Sequence, residues 1–582
     1  MWNRTGAWMV AASAGLAVGS AALAGPVEVI YCKKPGHPKA TVPGTVDING
    51  NPTPYEFRAI EGLSVAADGS AWLISARTQA ALVNSENDVV MLRGAGASGT
   101  VLVATVAGTS PAVPVTFSEG RPAPFKAGSD DQDPGTWDWF EFWSAGGLPR
   151  FDTAGNAVFA FRASTTQTGS TGSPDGQRVV TWNRAANTVA LAFKQGDLYT
   201  GLVENPASGG TGDEAVGNSV GSVHLLDNGQ VGSHDTTVVN IYSLLRPVLT
   251  YNRAGYHQVS TRTPTPDILT TTVSAGAFGA PGERFYWTAL ESGEFHTTPD
   301  GQHHYIEGRI LDATTADDGV LVVGTPADGT VVLREGSAIP GSSPAIVVGD
   351  IFQTTMLNNG DWYARGRDSS GTTAAAPDWF VKNGVVVART GDPITTGSGE
   401  HWGDTFLSFS ATGSGDWLLV GNTDGADPGA NEVVVLNGTQ VLMREGDPVD
   451  LDGNGQFDDD AFIGRGNNAL AAFDANDRWF LTSGGVLYGV VQLRNGAGVD
   501  LNTSPAFGTP QAFIRMTLGQ ACYANCDNST QAPVLNVADF GCFLTRYAAG
   551  EAYANCDGST QPPVLNVADF GCFLTKYAAG CP

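Results

Sequence analysis

Positive charge is scarce in this 582-residue chain. Lys and Arg number 31 against 58 Asp and Glu, for a formal net charge of −27. That balance excludes a basic groove for nucleic acid or a basic face for an anionic membrane, and favours solubility and divalent cations. Long apolar runs are absent after the first two dozen residues, so no membrane span is expected. Chemical motifs are absent too: there is no G-x-S-x-G elbow, P-loop, H-E-x-x-H or dinucleotide fingerprint. Cysteine is almost missing outside residues 520–582, which hold six of the seven; Cys32 is the exception, either buried or a reactive thiol. No Cys-x-x-Cys occurs, and no His neighbours the cysteine-rich tail, which weighs against structural zinc.

What is present begins with residues 1–24, which read as a secretory signal peptide. Arg4 supplies the positive start, Ala7 to Ala22 the small-apolar stretch, and Ala22-Leu23-Ala24 an A-x-A cleavage site. A secreted product, extracellular or associated with a cell surface, meets an oxidising environment in which disulfides persist.

Glycine, at 75 residues in the whole chain, is the commonest punctuation of the body, residues 25–519. A Gly-containing turn followed by alternating apolar residues recurs as ADGSAWLISA from Ala67, TAGNAVFAFRA from Thr153, LDNGQVGSH from Leu226, TPDGQHHYIEG from Thr298, LNNGDWYARG from Leu357, GSGDWLLVG from Gly413 and DANDRWFLTSG from Asp474. Two units continue into DWFVKNGVVVARTGDPI from Asp378 and EVVVLNGTQVLMREGDPV from Glu432, hairpins turning at Asn-Gly. A unit of three or four short strands cannot bury both faces alone, so neighbours must stack and the ring must close. The expected body is all-β, a single β-propeller of about seven blades with very little helix; a string of sandwiches or a solenoid is the structural rival. The repeats resemble those of secreted bacterial propeller-like proteins of undefined function, which implies architecture only.

The tail, residues 520–582, carries two near-copies, 523–550 and 553–580, offset by 30 residues and differing at three positions in 28. Each sets short oxygen-bearing side chains at alternate positions: Asn525, Asp527 and Ser529 with Asn536 and Asp539, then Asn555, Asp557 and Ser559 with Asn566 and Asp569. Ca²⁺ takes six to eight oxygen ligands, and alternate loop residues point the same way. Asn536 can cap a helix in which Phe540, Phe543, Leu544 and Tyr547 share one face. Loop, acid in the first turn and amphipathic helix make half an EF-hand. Six cysteines allow fifteen pairings. The symmetric one joins Cys526 to Cys542, Cys556 to Cys572 and Cys522 to Cys581, each within-copy link contributing about 3 kcal/mol in the chain-entropy model.

The repeated N-C-D-x-S…LNVADF…C pattern resembles the GC-type dockerin domain over about Cys522 to Pro582. The resemblance implies a small helical docking module that holds Ca²⁺ and attaches its protein to a cohesin-like or other scaffold partner at a surface. In ordinary dockerins the first and last side-chain ligands lie eleven residues apart; here Asn525 and Asp539 are fourteen apart, with Gln-Ala-Pro inserted mid-loop. Where ordinary dockerins carry a Ser-Thr-like recognition pair, this chain has Val537-Ala538 and Val567-Ala568, so the expected partner contact is apolar, with Arg546 and Lys576 as the orienting cations. The competing reading packs both Val-Ala pairs inside the module.

One body loop reads as a second kind of Ca²⁺ site. Asp450, Asp452 and Asn454 match positions 1, 3 and 5 of a calcium loop, and Gly455 the sharp-turn glycine. Gln456 would offer its carbonyl, and Asp458, Asp459 or Asp460 the missing bidentate ligand. Aromatic and His/Glu stretches could serve a carbohydrate ligand or bury in blades: Trp137, Trp139 and Trp143; His401-Trp402; and Glu291, Glu294, His296, His303, His304 and Glu307. Two functions follow. One is a secreted Ca²⁺-binding propeller acting as a binding or structural module on a dockerin-like anchor. The other is a polysaccharide-degrading enzyme, a glycoside hydrolase or lyase, carried by that anchor.

Overall fold

Turn glycines frame the body. In this computed structural model the described residues are 27–47, 49–82, 87–121, 136–139, 148–164, 175–195, 197, 214–239, 246–251, 255–258, 273–274, 287–310, 317–325, 328–369, 376–454, 456–466, 472–473, 478–501, 511–518, 524–527, 535–556, 559 and 564–579. The same turn closes in seven places. Ala66 N–H donates to the carbonyl of Ala71, Asp152 to Asn156, Leu226 to Gln230, Thr298 to His303, Leu357 to Asp361, Thr412 to Asp416 and Thr482 to Val486. Each turn holds one glycine in the left-handed region, namely Gly69, Gly155, Gly229, Gly301, Gly360, Gly415 and Gly485. A Cβ is disfavoured there, which is why the repeat keeps glycine at that point. The last turn is Thr482–Val486, so DANDRWFLTSG precedes its turn where the other six motifs begin on theirs; the expected seventh repeat was out of frame.

These turns join the innermost strand of a sheet to its second strand. Six sheets come from contiguous chain, in order. Sheet 1 starts at Phe57–Val65 and sheet 2 at the interrupted edge Thr136–Trp139 plus Arg150–Phe151. Sheets 3 to 6 start at Glu214–Leu225, Trp287–Thr297, Val348–Met356 and Trp402–Ala411. A seventh, composite sheet draws on both ends of the body: Glu28–Cys32 pairs antiparallel with Gln511–Thr517, which continues to Val486–Arg494 and the short inner strands Phe462–Ile463 and Phe480–Leu481. Sheet 2 is widened by a parallel step, Val103–Val106 against Thr188–Lys194.

Apolar seams bind neighbouring sheets into a closed ring, a β-propeller. Leu73 and Met91 of sheet 1 pack with Phe159, Phe161 and Val180 of sheet 2. Val158 and Val179 meet Val223 and Val231 of sheet 3. Sheets 3 and 4 touch through their inner strands, and Asp227 N–H donates to the Pro299 carbonyl. Tyr305, Leu321 and Leu333 pack on Trp362 and Trp379, and Tyr363 and Phe380 on Trp402 and Phe409. Sheet 6 reaches the composite sheet through Ser410 Oγ, which accepts from Leu481 N–H. Closure comes from Tyr31, Tyr488 and Phe513 packed on Ile60, Trp72 and Ile74. The Trp72 indole lies so close over the sheet 1 hairpin that a Cβ on Gly94 would fall 2.0 Å from it. Both Asn-Gly hairpins form as expected, with Asn383-Gly384 and Asn437-Gly438 at positive φ. Among the described body residues the helical turns are two short 3-10 segments, Pro38–Ala40 and Gln79–Leu82.

Residues Pro26–Thr517 form one compact unit, and Leu518–Pro582 belongs to a second. In the second unit, α1 (Val537–Ala549) and α2 (Val567–Ala579) occupy equivalent places in the two copies. Disulfides Cys526–Cys542 and Cys556–Cys572 tie each loop to its helix; Cys522 and Cys581 lie outside the described residues. The core is small: Phe543 and Phe573 stack at 4.2 Å, ringed by Ala524, Cys526 and Ala554. Leu544 was expected on this apolar face but points outward, 44 % exposed.

Candidate functional site

The seven turns surround a cavity of about 520 Å³ at one end of the ring's axis. Registering the chain on the turn glycines shows how it is built. Five residues before each glycine stand Ser64, Arg150, His224, His296, Thr355, Ser410 and Phe480; four before stand Val65, Phe151, Leu225, Thr297, Met356, Ala411 and Leu481; all fourteen line the cavity. One equivalent position from every inner strand therefore contributes to a single wall, and its volume lies in the range of small-molecule sites.

Chemically the wall is lopsided. Sheets 2, 3 and 4 bring Arg150, His224 and His296 together, whereas the remaining five-before positions carry hydroxyls or an aromatic ring. Arg150 Nη2 lies 3.1 Å from His296 Nε2. A guanidinium only donates, so His296 Nε2 accepts and its ring proton is on Nδ1. His224 is buried, and its pKa is pushed down to about 3, first by burial and then by the charges of Arg150 and His304. It is neutral at physiological pH, which leaves Arg150 as the fixed positive charge. Asp152 is the one carboxylate among the described lining residues. Its oxygens accept from Ala154 N–H, Asn156 N–H and Asn156 Nδ2, so it serves the turn.

Sequence reasoning singled out His296 but missed Arg150 and His224, which no local motif marks. The signal was the distance to the turn glycine. Of the other proposed residues, His304 and Glu307 are buried in sheet 4, and Trp402 is buried edge-on to Phe406, which answers the sugar-platform reading with the buried one. The side chains of Glu291, Glu294, Trp137 and Trp139, and all of Trp143, lie outside the described residues.

The acidic loop folds tightly beside the closing strand, Asp450 bridging Glu28. Asp450 Oδ1 accepts from Gly453 and Asn454 N–H, and Asn454 Oδ1 from Gln456 N–H. Asp458 Oδ1 accepts from Asn454 Nδ2. Oxygens of Asp450, Asp452 and Asp459 lie within 4.8 Å of one another. Asp460 does not join them. Its φ is 49°, and its Oδ1 accepts from Gly496 N–H. Gly455 lies outside the described residues.

In the tail, Asn536 caps α1, its Oδ1 accepting from Ala538 N–H while Asp539 Oδ2 accepts from Asn536 N–H. Asp539 Oδ1 reaches the loop and accepts from Asp527 N–H at 3.2 Å. Asn566 and Asp569 repeat the arrangement at α2, and both Asp539 and Asp569 are buried. Asn555 Nδ2 donates to the Ser559 carbonyl, and Asn555 Oδ1 is buried without a hydrogen-bond partner. Asn525 stands beside the first disulfide; Ser529 and Asp557 lie outside the described residues. Val537 and Val567 are 84 % and 83 % exposed, so the Val-Ala pairs do not pack inside the module. Arg546 pairs with Glu551 and lies over the Tyr553 ring. Lys576 at the equivalent position is exposed.

No protein-family model and no curated protein matches the chain. Solved structures resemble it distantly. The β-propeller domain of the Trilobed protease from Pyrococcus furiosus is 9 % identical, with 67 % of this chain and 100 % of that one covered and a TM-score of 0.28. Trypanosoma rangeli sialidase with 2,3-difluorosialic acid is 8 % identical, with 91 % and 62 % covered and a TM-score of 0.34. A puromycin hydrolase is 14 % identical, with 67 % and 55 % covered and a TM-score of 0.29. The fold assignment rests on the strand pairing above, and these likenesses carry no residue of theirs onto this chain.

Proposed function

We propose that this protein is a secreted, Ca²⁺-binding β-propeller whose axial cavity binds a small ligand, held at a cell surface or extracellular scaffold by its dockerin-like tail. The observation that carries the reading is the cavity itself, ringed by equivalent positions of all seven sheets. Binding is favoured over hydrolysis because glycoside cleavage needs two carboxylates facing across the bond. The described lining offers only Asp152, whose oxygens are taken by its own turn. Among the described lining residues the polysaccharide-degrading alternative finds no such pair.

Ca²⁺ is proposed for three places. The buried carboxylates Asp539 and Asp569 stand where loop meets helix in each copy, and the unsatisfied Asn555 oxygen adds a donor of the right hardness. Asn525, Asp527, Ser529, Asp557 and Ser559 complete the tail sets. In the body, Asp450, Asp452 and Asp459 converge, with Asn454, Gln456 and Asp458 in the same loop. These ions would brace loops. The exposed pairs Val537-Ala538 and Val567-Ala568 are the proposed partner face, apolar and duplicated.

The test is a thermal-melt screen of sugars, sugar acids and small metabolites on the full chain, beside Ser410→Trp, which fills the cavity. Hits that raise the wild-type midpoint and not that of the plugged variant support the reading. Hits acting equally on both, or none at all, contradict it.

A further inference from the structure

Resting on the reading of the axial cavity as a ligand site, we propose that its ligand is a small hydroxylated organic anion, bound through Arg150. The argument begins with charge. In a chain of net charge −27, the described lining of this cavity has one fixed charge free of neutralisation, and it is positive. Among the described residues no carboxylate pairs with Arg150: Asp152, two positions on, spends its oxygens on its turn, and the contact of Nη2 is the neutral imidazole of His296. Arg150 Nε is buried with no hydrogen-bond partner. Arg150 is half-buried in the wall of the cavity, and a carboxylate or phosphate meets an unneutralised guanidinium there with matching planar or bidentate geometry. His296 cannot be that group. Its Nε2 accepts from Nη2, which orients the guanidinium while leaving its charge intact.

Polar capacity elsewhere in the wall sets the rest of the ligand. Thr297 Oγ1 and Thr354 Oγ1 are buried hydroxyls with no hydrogen-bond partner, and both residues line the cavity. Hydroxyls exchange hydrogen bonds with other hydroxyls as donor or acceptor. Aromatic residues Tyr305, Phe409 and Trp479 line the same wall and offer apolar area to the carbon skeleton between those groups. One anionic end, several hydroxyls and a compact skeleton describe a sugar acid or sugar phosphate. A bare inorganic anion would meet Arg150 and leave the threonines unmet. A neutral sugar would leave Arg150 unmet.

Calorimetry on the full chain in Ca²⁺ buffer tests this with glucuronate, glucose 6-phosphate, glucose, acetate and inorganic phosphate as probes. Glucuronate or glucose 6-phosphate should bind one per chain, at least tenfold tighter than glucose, acetate or phosphate; which of the two is tighter identifies a carboxylate or a phosphate ester. Arg150→Gln should weaken that probe at least tenfold, Arg150→Lys less, and Thr354→Val severalfold. The lysine and valine variants keep the test decisive if Arg150→Gln fails to fold. Glucose binding as tightly as its acids, or the acids binding all three variants as they bind wild type, overturns the anion assignment and leaves the cavity a neutral-ligand site. No binding by either acid also overturns it, and the plugged-cavity screen then decides separately whether the cavity binds anything.

Discussion

Body and tail solve the same problem by opposite means. The body buries large side chains at every seam and closes by pairing its first strand with its last, with its single cysteine, Cys32, left as a buried thiol whose pKa is pushed up to about 11 by burial. The tail has one fully buried stacked phenylalanine pair with a half-buried shell that includes Phe540, Phe570, Tyr547 and Tyr577, a small core for independent stability, and it adds a disulfide per copy. The difference teaches where each part is vulnerable. The body fails when a seam is opened, and the tail when a covalent link is cut. Architecture divides along the same line: the ring builds a pocket from many distant positions, while the tail exposes the same short apolar pair twice.

The largest expected effect breaks the tail alone. Reducing the two disulfides removes about 3 kcal/mol each. Limited proteolysis under reductant should cut within 520–582 and leave the propeller whole; simultaneous loss of the body would erase the distinction. Next comes the closing seam. Trp72 is fully buried and meets Phe513 edge-on at 5.3 Å, so Trp72→Ala should cost about 3–5 kcal/mol in denaturant melts of the body, with the tail untouched.

A pH limb sharpens the comparison further. Glu445 is buried in the body, and its pKa is pushed up to about 8, first by burial and then by the charge of Glu432. A carboxyl raised in the folded state stabilises it below the ordinary value near 4.5, and that contribution is lost as pH rises towards 8. The body should therefore weaken between pH 5 and 9. Glu445→Gln should flatten that limb, gaining about 1–3 kcal/mol at pH 9 and little at pH 5. The smallest effect is on tail stability at Val537. Val537→Asp or Val567→Asp should shift the melt by less than about 0.5 kcal/mol, because both side chains are exposed. Each change alone should weaken capture of a surface partner slightly, and both together should abolish it.

Much of this was legible in the sequence because it was local. Asn383-Gly384 and Asn437-Gly438 specify their hairpins by backbone sterics alone, and the near-identical copies specify the within-copy cysteine links by symmetry. Less was legible where the cause was distant. Asp460 Oδ1 accepts from the N–H of Gly496, 36 residues on. Arg546 is claimed by Glu551 and Tyr553 across the helix end. The last repeat was misframed because Gly485, and not the Asp474 stretch, closes its turn. Arg150 and His224 carry no motif, and only closure of the ring brings them beside His296.

The central claim, that one position per inner strand faces a single accessible cavity, is tested most directly by thiol labelling. Ser64→Cys, Thr355→Cys and Ser410→Cys place a thiol at three of the seven positions, while native Cys32 is buried and poorly ionised. All three variants should react with a small methanethiosulfonate far faster than wild type, and far faster than with a polymer-linked maleimide too large for the cavity. Thiols as inert as Cys32, or equally open to the bulky reagent, would contradict the account.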